Sequence, residues 1–209
     1  MISGTPKQFK SIQYLVYYPK NFDINQKYPL FFHLHGSGSR GINFEHFDDS
    51  STLLRLLEKE ETPLSKAICV FPQCHADTWF DIYNELLELL EEVINNEPVD
   101  KENVTGSGIS MGGYGIYQVM MSKPECFQKA IVCCGGGMYW NAGRMKNIRM
   151  RIFHGRKDDS VFVEEATRMY DRLKEAGADV TLTIYEECDH NCWDKTYLNF
   201  DNLQFVINK

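Results

Sequence analysis

Gly108-Ile109-Ser110-Met111-Gly112 sets a serine between two glycines, each two residues away. That spacing suits a tight turn from a strand into a helix, with the serine at a strained apex. Side chains two before and two after the apex would collide, so glycine occupies both places. The turn lifts the hydroxyl clear of a sheet. It also aims the first amides of the next helix at an oxygen that gains negative charge. The chemistry would be nucleophilic attack on a carbonyl. The plain alternative is a glycine-rich turn with an incidental serine, so the pentapeptide needs partners.

A serine hydroxyl is a weak nucleophile. It needs a base, and the base needs an orienting carboxylate. After an elbow of this kind the partners follow in the order Asp or Glu, then His. Two histidines follow Ser110, His154 and His190. His154 ends an apolar run in Phe153-His154-Gly155, a position that packs and turns. His190 stands in the polar loop Cys188-Asp189-His190-Asn191, after the last predicted strand, and is assigned as the base. The acid falls in Arg156-Lys157-Asp158-Asp159. Asp158 is first beyond the turn and is assigned, with Asp159 open as the alternative. The plain reading of this pair is a solvated loop, or a cap for the helix that begins near Val163. The gaps, 158 − 110 = 48 and 190 − 158 = 32 residues, each leave room for one to two βα units.

The second donor for an oxyanion belongs on the loop after an early strand. His35-Gly36-Ser37-Gly38 stands there. The backbone N–H groups of Ser37 and Met111 are expected to hold the oxyanion, with Gly36 against the substrate. His33 and His35 read as core histidines at a strand end, and His46 as a surface histidine. Gly135-Gly136-Gly137-Met138-Tyr139-Trp140 has two equal readings: a pocket wall with Trp140 facing substrate, or a loop covering core. Cys188, His190 and Cys192 hint at zinc, but structural zinc takes four ligands, usually in spaced pairs. Only Cys74 and His75 could complete the set, and His190 would be lost as a base, so no metal is expected. A Cys188–Cys192 disulfide has no support.

Elements must position these groups. Ile12 to Tyr18, Leu30 to Leu34, Ala67 to Phe71, Val104 to Ile109, Ala130 to Cys134, Met150 to Phe153 and Val180 to Tyr185 are short apolar runs. Such runs suit strands buried on both faces. Asp81 to Asn95, Gly112 to Met121 and Val163 to Ala176 carry apolar residues at helical spacing, and Gly177 marks a helix end. The alternation predicts an α/β fold with a mainly parallel sheet. In such sheets the site gathers at the carboxyl ends of strands, where all the loops above begin.

The 209 residues suit one domain, 1–209, with 43% hydrophobic residues to build its core. No linker, repeat or low-complexity run divides them. The net charge of −7 argues against a nucleic-acid partner, which would want a basic patch. No window approaches the roughly 18 apolar residues of a membrane span, and Met1 to Lys10 has no signal-peptide pattern. Seven scattered cysteines read as reduced thiols, so a cytoplasmic location is expected. Asn103-Val104-Thr105 matches a glycosylation sequon without a secretory context to use it. No feature specifies an oligomeric state.

In these stretches the chain resembles the phospholipase/carboxylesterase and dienelactone-hydrolase-like branch of the α/β-hydrolases. It is most similar to feruloyl-esterase and polyhydroxybutyrate-depolymerase-like proteins, some labelled predicted peptidases. The carriers are Leu34-His35-Gly36-Ser37-Gly38-Ser39-Arg40-Gly41, Phe71-Pro72-Gln73-Cys74, Trp79-Phe80-Asp81, the Ser110 elbow with Gly113, Phe153 to Val161, and Asp189-His190 with Trp193. They keep family order over nearly the whole chain. The resemblance implies a three-layer sandwich with helices on both faces of the sheet. It implies ester or thioester hydrolysis through an acyl-enzyme without cofactor, and supports Ser110, Asp158 and His190 in the roles above. It also suggests Trp79 beside the acyl or alcohol pocket. Dienelactone hydrolases proper use cysteine where this chain has Ser110. The usual proline after the acid-loop valine is Phe162 here.

The length leaves little or no lid, hence an open, shallow pocket. The reading is a serine carboxylesterase for a small-acyl ester or a sugar- or phenol-linked one. The substrate is thus a small molecule, including one carried on carbohydrate. A peptidase or acyl-thioesterase with the same triad is the alternative, and a non-catalytic ligand-binding module the remote one.

Overall fold

A computed structural model of the chain describes residues 4–44, 46, 47, 51–59 and 62–209, with Ser51 by its backbone alone. Eight strands form one sheet: β1 (Thr5–Phe9), β2 (Ile12–Tyr17), β3 (Tyr28–Leu34), β4 (Ile68–Gln73), β5 (Val99–Ile109), β6 (Lys129–Cys133), β7 (Arg149–Gly155) and β8 (Val180–Tyr185). Their spatial order is β1-β2-β4-β3-β5-β6-β7-β8. β1 and β2 pair antiparallel, and β2 joins β4 antiparallel. From β4 to β8 all pairing is parallel.

Among the described residues six α-helices connect or flank the strands: α1 (Ser51–Glu58), α2 (Tyr83–Asn96), α3 (Met111–Ser122), α4 (Glu164–Glu175), α5 (Trp193–Leu198) and α6 (Phe200–Ile207). The strands alternate their side chains between two cores, as the two-residue period requires. Ala130 and Val132 of β6 face α2, α3 and α4, through Leu86, Ile116 and Met169. Ile131 and Cys133 face the other side, with Leu53 of α1 and Leu203 of α6. The result is the expected α/β three-layer sandwich. Among the described residues no helix is long and apolar enough to cross a membrane.

The seven expected strands and three expected helices are present, with ends moved by a few residues. β1, α1, α5 and α6 were not foreseen. β1 (Thr5–Phe9) has no fully buried residue and includes Pro6, so it lacks an apolar pattern; it holds the sheet edge beside β2.

Candidate active site

β5 runs into Ser110, and α3 begins at the next residue. Ser110 has φ 52° and ψ −121°, a backbone region that side chains rarely adopt. Its N–H donates to the Cys133 carbonyl at 3.0 Å, which ties the apex to the neighbouring strand β6. The flanking glycines are required by contact. A Cβ at Gly108 would collide with the Gly112 carbonyl, and one at Gly112 with the Leu34 carbonyl. At Gly113 a Cβ would come within 2.8 Å of the Gly135 Cα.

Asp158 and His190 hang from the next strands along. Asp158 lies three residues beyond β7, and His190 five beyond β8. His190 Nε2 is 2.9 Å from Ser110 Oγ, and His190 Nδ1 is 2.8 Å from Asp158 Oδ2. The carboxylate accepts, so Nδ1 carries the ring proton and Nε2 presents a lone pair to the hydroxyl. Asp158 Oδ1 accepts the N–H groups of Ser160 at 3.0 Å and Val161 at 2.9 Å. The Asp158 side chain is fully buried, whereas His190 keeps 26% of its side chain exposed. Asp159 points outward and is exposed. Burial thus separates two adjacent aspartates that composition could not.

His154 is a contributor that the sequence reading left as packing. It is fully buried, and its Nε2 lies 2.8 Å from the Val161 carbonyl and 3.2 Å from Asp158 Oδ2. Both neighbours are acceptors, so Nε2 carries the proton and is shared between them. The available signal was its four-residue spacing from Asp158.

The loop after β3 is equally braced. Ser37 opens a short 3-10 turn and is exposed, and Gly36 before it is buried. Met111 opens α3, so its N–H, in the first turn, has no acceptor within the helix. The Cys74 N–H donates to His35 Nε2 at 2.9 Å, so Nδ1 carries the proton and donates to the Gly36 carbonyl at 2.6 Å. Burial lowers the His35 pKa to about 4, which keeps the ring neutral. His33, also in the core, is lowered to about 3 by burial. Arg40 Nε donates to the Ser37 carbonyl at 3.0 Å, and its Nη1 to the Asp77 carbonyl at 2.9 Å. Arg40 also lines a cleft of about 580 Å³ with Gly41, His75, Ala76, Asp77 and Asp81.

Trp79 requires a correction. It was expected beside substrate, but only 1% of it is exposed. Its indole N–H donates to the His35 carbonyl at 3.0 Å, and its ring packs on His35 with centroids 4.9 Å apart. It supports the loop after β3 from within. Trp140 is 71% exposed, on a 3-10 turn after β6, with Tyr139 against its ring. Gly136 and Gly137 instead pack against Glu165, Tyr114 and Tyr117, so that stretch covers core. His46 is exposed. Three large apolar side chains were not anticipated. Ile42, Phe80 and Phe162 are exposed on the loops that leave the carboxyl ends of β3, β4 and β7, the sheet edge that carries Ser110.

Such a relay can draw the proton from a serine hydroxyl as it attacks a carbonyl, and stabilise the imidazolium that forms. Fold and relay are those of a serine hydrolase of the α/β-hydrolase type. Residues 139–207 match the model of the prolyl oligopeptidase family. The chain is 33% identical over 135 residues to a probable dipeptidyl-peptidase 5 of Aspergillus terreus, a match that covers 60% of this chain. It covers 18% of that protein, so the chain spans about a fifth of the curated relative. Among solved structures a thermostable esterase superposes with a TM-score of 0.86 at 25% identity, over 98% of this chain and 62% of that one. A ferulic acid esterase gives 0.72 at 15% identity, over 99% and 97%. The acylaminoacyl peptidase of Pyrococcus horikoshii gives 0.76 at 17%, over 100% and 42%. The chain therefore has the α/β-hydrolase fold and is similar to esterase and peptidase members of it.

Proposed function

We propose that the chain hydrolyses carboxylic esters through an acyl-Ser110 intermediate. The observation that carries this is the relay: Ser110 Oγ to His190 Nε2 at 2.9 Å, and His190 Nδ1 to Asp158 at 2.8 Å. Ser110 attacks the ester carbonyl while His190 takes its proton. The Ser37 and Met111 amides hold the oxyanion. His190 returns the proton to the leaving alcohol, then activates water to release the acid. Removing one oxyanion donor typically costs about 10²–10³ in turnover.

The substrate is read as a small-acyl ester with a phenolic or sugar-borne alcohol. Trp140 and Phe162 are exposed on the loops that leave the carboxyl ends of β6 and β7, and such aromatic faces suit an aryl group more than a long buried acyl chain. The solved esterases named above agree in reaction class. Seven free thiols suit a reducing, cytoplasmic setting.

A peptidase reading is favoured by the prolyl oligopeptidase match over residues 139–207 and by the 33% identity to a probable dipeptidyl-peptidase 5. The two readings separate when an ester and an anilide of one acyl group are compared. The ester should be cleaved far faster, and Ser110→Ala should abolish that cleavage in folded protein. A faster anilide would replace the esterase reading, and activity retained by Ser110→Ala would remove Ser110 from its role.

A further inference from the structure

β6 lies between β5, which carries Ser110, and β7, which carries Asp158. Its last strand residue is Cys133, and Cys134 follows at the carboxyl end of that strand. Cys134 has φ 41°, outside ordinary strand geometry, and its N–H donates to the Phe153 carbonyl at 2.9 Å. Its thiol takes no part in the reaction proposed above. Yet Cys134 Sγ, an Asp158 carboxylate oxygen and a His190 ring nitrogen all lie within 4.8 Å of one another. Cys134 and Asp158 are buried, while His190 is open to solvent on one side. His154, whose Nε2 lies 3.2 Å from Asp158 Oδ2, has its other ring nitrogen, Nδ1, buried without a hydrogen-bond partner.

We propose that Cys134, Asp158 and His190 form a site for one thiophilic divalent cation, of the zinc or cadmium class, whose binding switches the relay off. The ligand types are those such cations take: thiolate at about 2.3 Å, imidazole nitrogen at about 2.0–2.1 Å and carboxylate oxygen at about 2.0–2.2 Å. Ligands on a tetrahedral ion sit roughly 3.3–3.7 Å apart by those lengths, so separations of up to 4.8 Å close to that range while the His190–Asp158 pair, now at 2.8 Å, opens to it. The thiol gives up one proton to solvent. Cation, thiolate and carboxylate then sum to zero charge, which suits a buried place. No electron transfer is involved.

Either nitrogen of His190 disables the base. Bound through Nε2, the cation takes the lone pair that accepts the Ser110 proton. Bound through Nδ1, it leaves the remaining ring proton on Nε2, and no lone pair faces Ser110. The carboxylate is withdrawn from the histidine in both cases. Magnesium and calcium, which prefer oxygen ligands, lack the thiolate bond and should not compete.

The inhibitory half rests on the ester-hydrolase reading; the binding half does not. The test titrates the reduced full chain with cadmium chloride. Thiolate-to-cadmium charge-transfer absorption is followed alongside p-nitrophenyl acetate hydrolysis. One equivalent should raise the absorption and remove hydrolysis with a common midpoint, and EDTA should reverse both. In Cys134→Ser the absorption should vanish and the inhibition midpoint should rise at least about tenfold, judged against that variant's own metal-free rate. Asp158→Asn, which keeps the thiol, should weaken the cadmium absorption by at least about tenfold, and circular dichroism checks that both variants are folded. Cys126→Ser, on a distant turn, should respond as the parent does. An unchanged absorption in folded Cys134→Ser, or equal inhibition by magnesium, would overturn the proposal. An absorption band in a chain with no metal-free hydrolysis would overturn the esterase reading and leave the metal site standing.

Discussion

His154 Nε2 lies 3.2 Å from Asp158 Oδ2, the oxygen that also receives His190 Nδ1 at 2.8 Å. One carboxylate oxygen thus answers to two imidazoles, one fully buried and one facing the hydroxyl of Ser110. His154 positions the acid and does not touch the reacting atoms. His154→Phe keeps a ring of similar size and removes the donor. Turnover should fall about tenfold with KM little changed, since hydrogen bonds to charged groups contribute roughly 1.5–3 kcal/mol. A lowered melting temperature with parent-like turnover would show His154 to be packing alone.

Gly155 ends β7, and a Cβ there would collide with the Asp189 carbonyl and come within 2.7 Å of the Cys188 carbonyl. The loop bearing His190 can approach β7 only because that side chain is missing. Gly155→Ala should push His190 away from Ser110 while leaving most of the core in place. A displacement near 1 Å commonly costs about 10²-fold. Ester hydrolysis and fluorophosphonate labelling should slow together, with far-ultraviolet dichroism retained. Parent-like rates would mean that the loop shifts without carrying His190.

Ser110 is held at φ 52° and ψ −121°, a conformation that costs of order 1–3 kcal/mol for a residue with a side chain. Glycine adopts it freely. Ser110→Gly should therefore melt about 2–4 °C above Ser110→Ala, a gain near 1 kcal/mol for a chain of this size. Both should be inactive. Equal melting temperatures would mean that the elbow stores no strain at this residue.

Burial holds His33 and His35 neutral, with pKa values lowered from 6.5 to about 3 and about 4. Below pH 6.5 the unfolded chain binds protons that the folded chain refuses, so stability falls as pH falls. The contribution is complete above about pH 6.5. It is lost toward pH 4 for His35, and further toward pH 3 for His33. Each histidine contributes a slope of roughly 1 kcal/mol per pH unit within its window. Urea unfolding at pH 7.5, 6 and 5 reads that slope, and His33→Phe should halve it. A flat stability across this range would show that both rings protonate without unfolding.

The three relay residues were legible because the chemistry demands particular residue types in a particular order. Glycine at positions 108 and 112 was legible for a similar reason: carbonyls of Gly112 and Leu34 leave room for nothing larger. Asp158 and Asp159 could not be separated by type, because burial and two backbone N–H donors make the distinction. Trp79 was misplaced since its partner is the His35 main-chain carbonyl, and a tryptophan in a loop reads the same whether it faces inward or outward. The role of His154 was hidden likewise, in a residue that also packs. β1 has too few apolar positions to announce itself, and α5 and α6, at six and eight residues, are too short to set out a helical period. Packing against the sheet, more than local preference, makes them regular.

Strand order has a kinetic consequence. β3 sits between β4 and β5, both far later in the chain, and Asp158 and His190 hang from β7 and β8, both made after the strand that carries Ser110. Contacts that span long stretches of chain are slow to close. During synthesis from the first residue onward, Ser110 emerges well before its histidine. A nascent chain that has completed its elbow therefore carries an inert hydroxyl. Only when β8 docks beside β7 does that hydroxyl gain a base, so the reactive centre matures well after the strand that carries its serine.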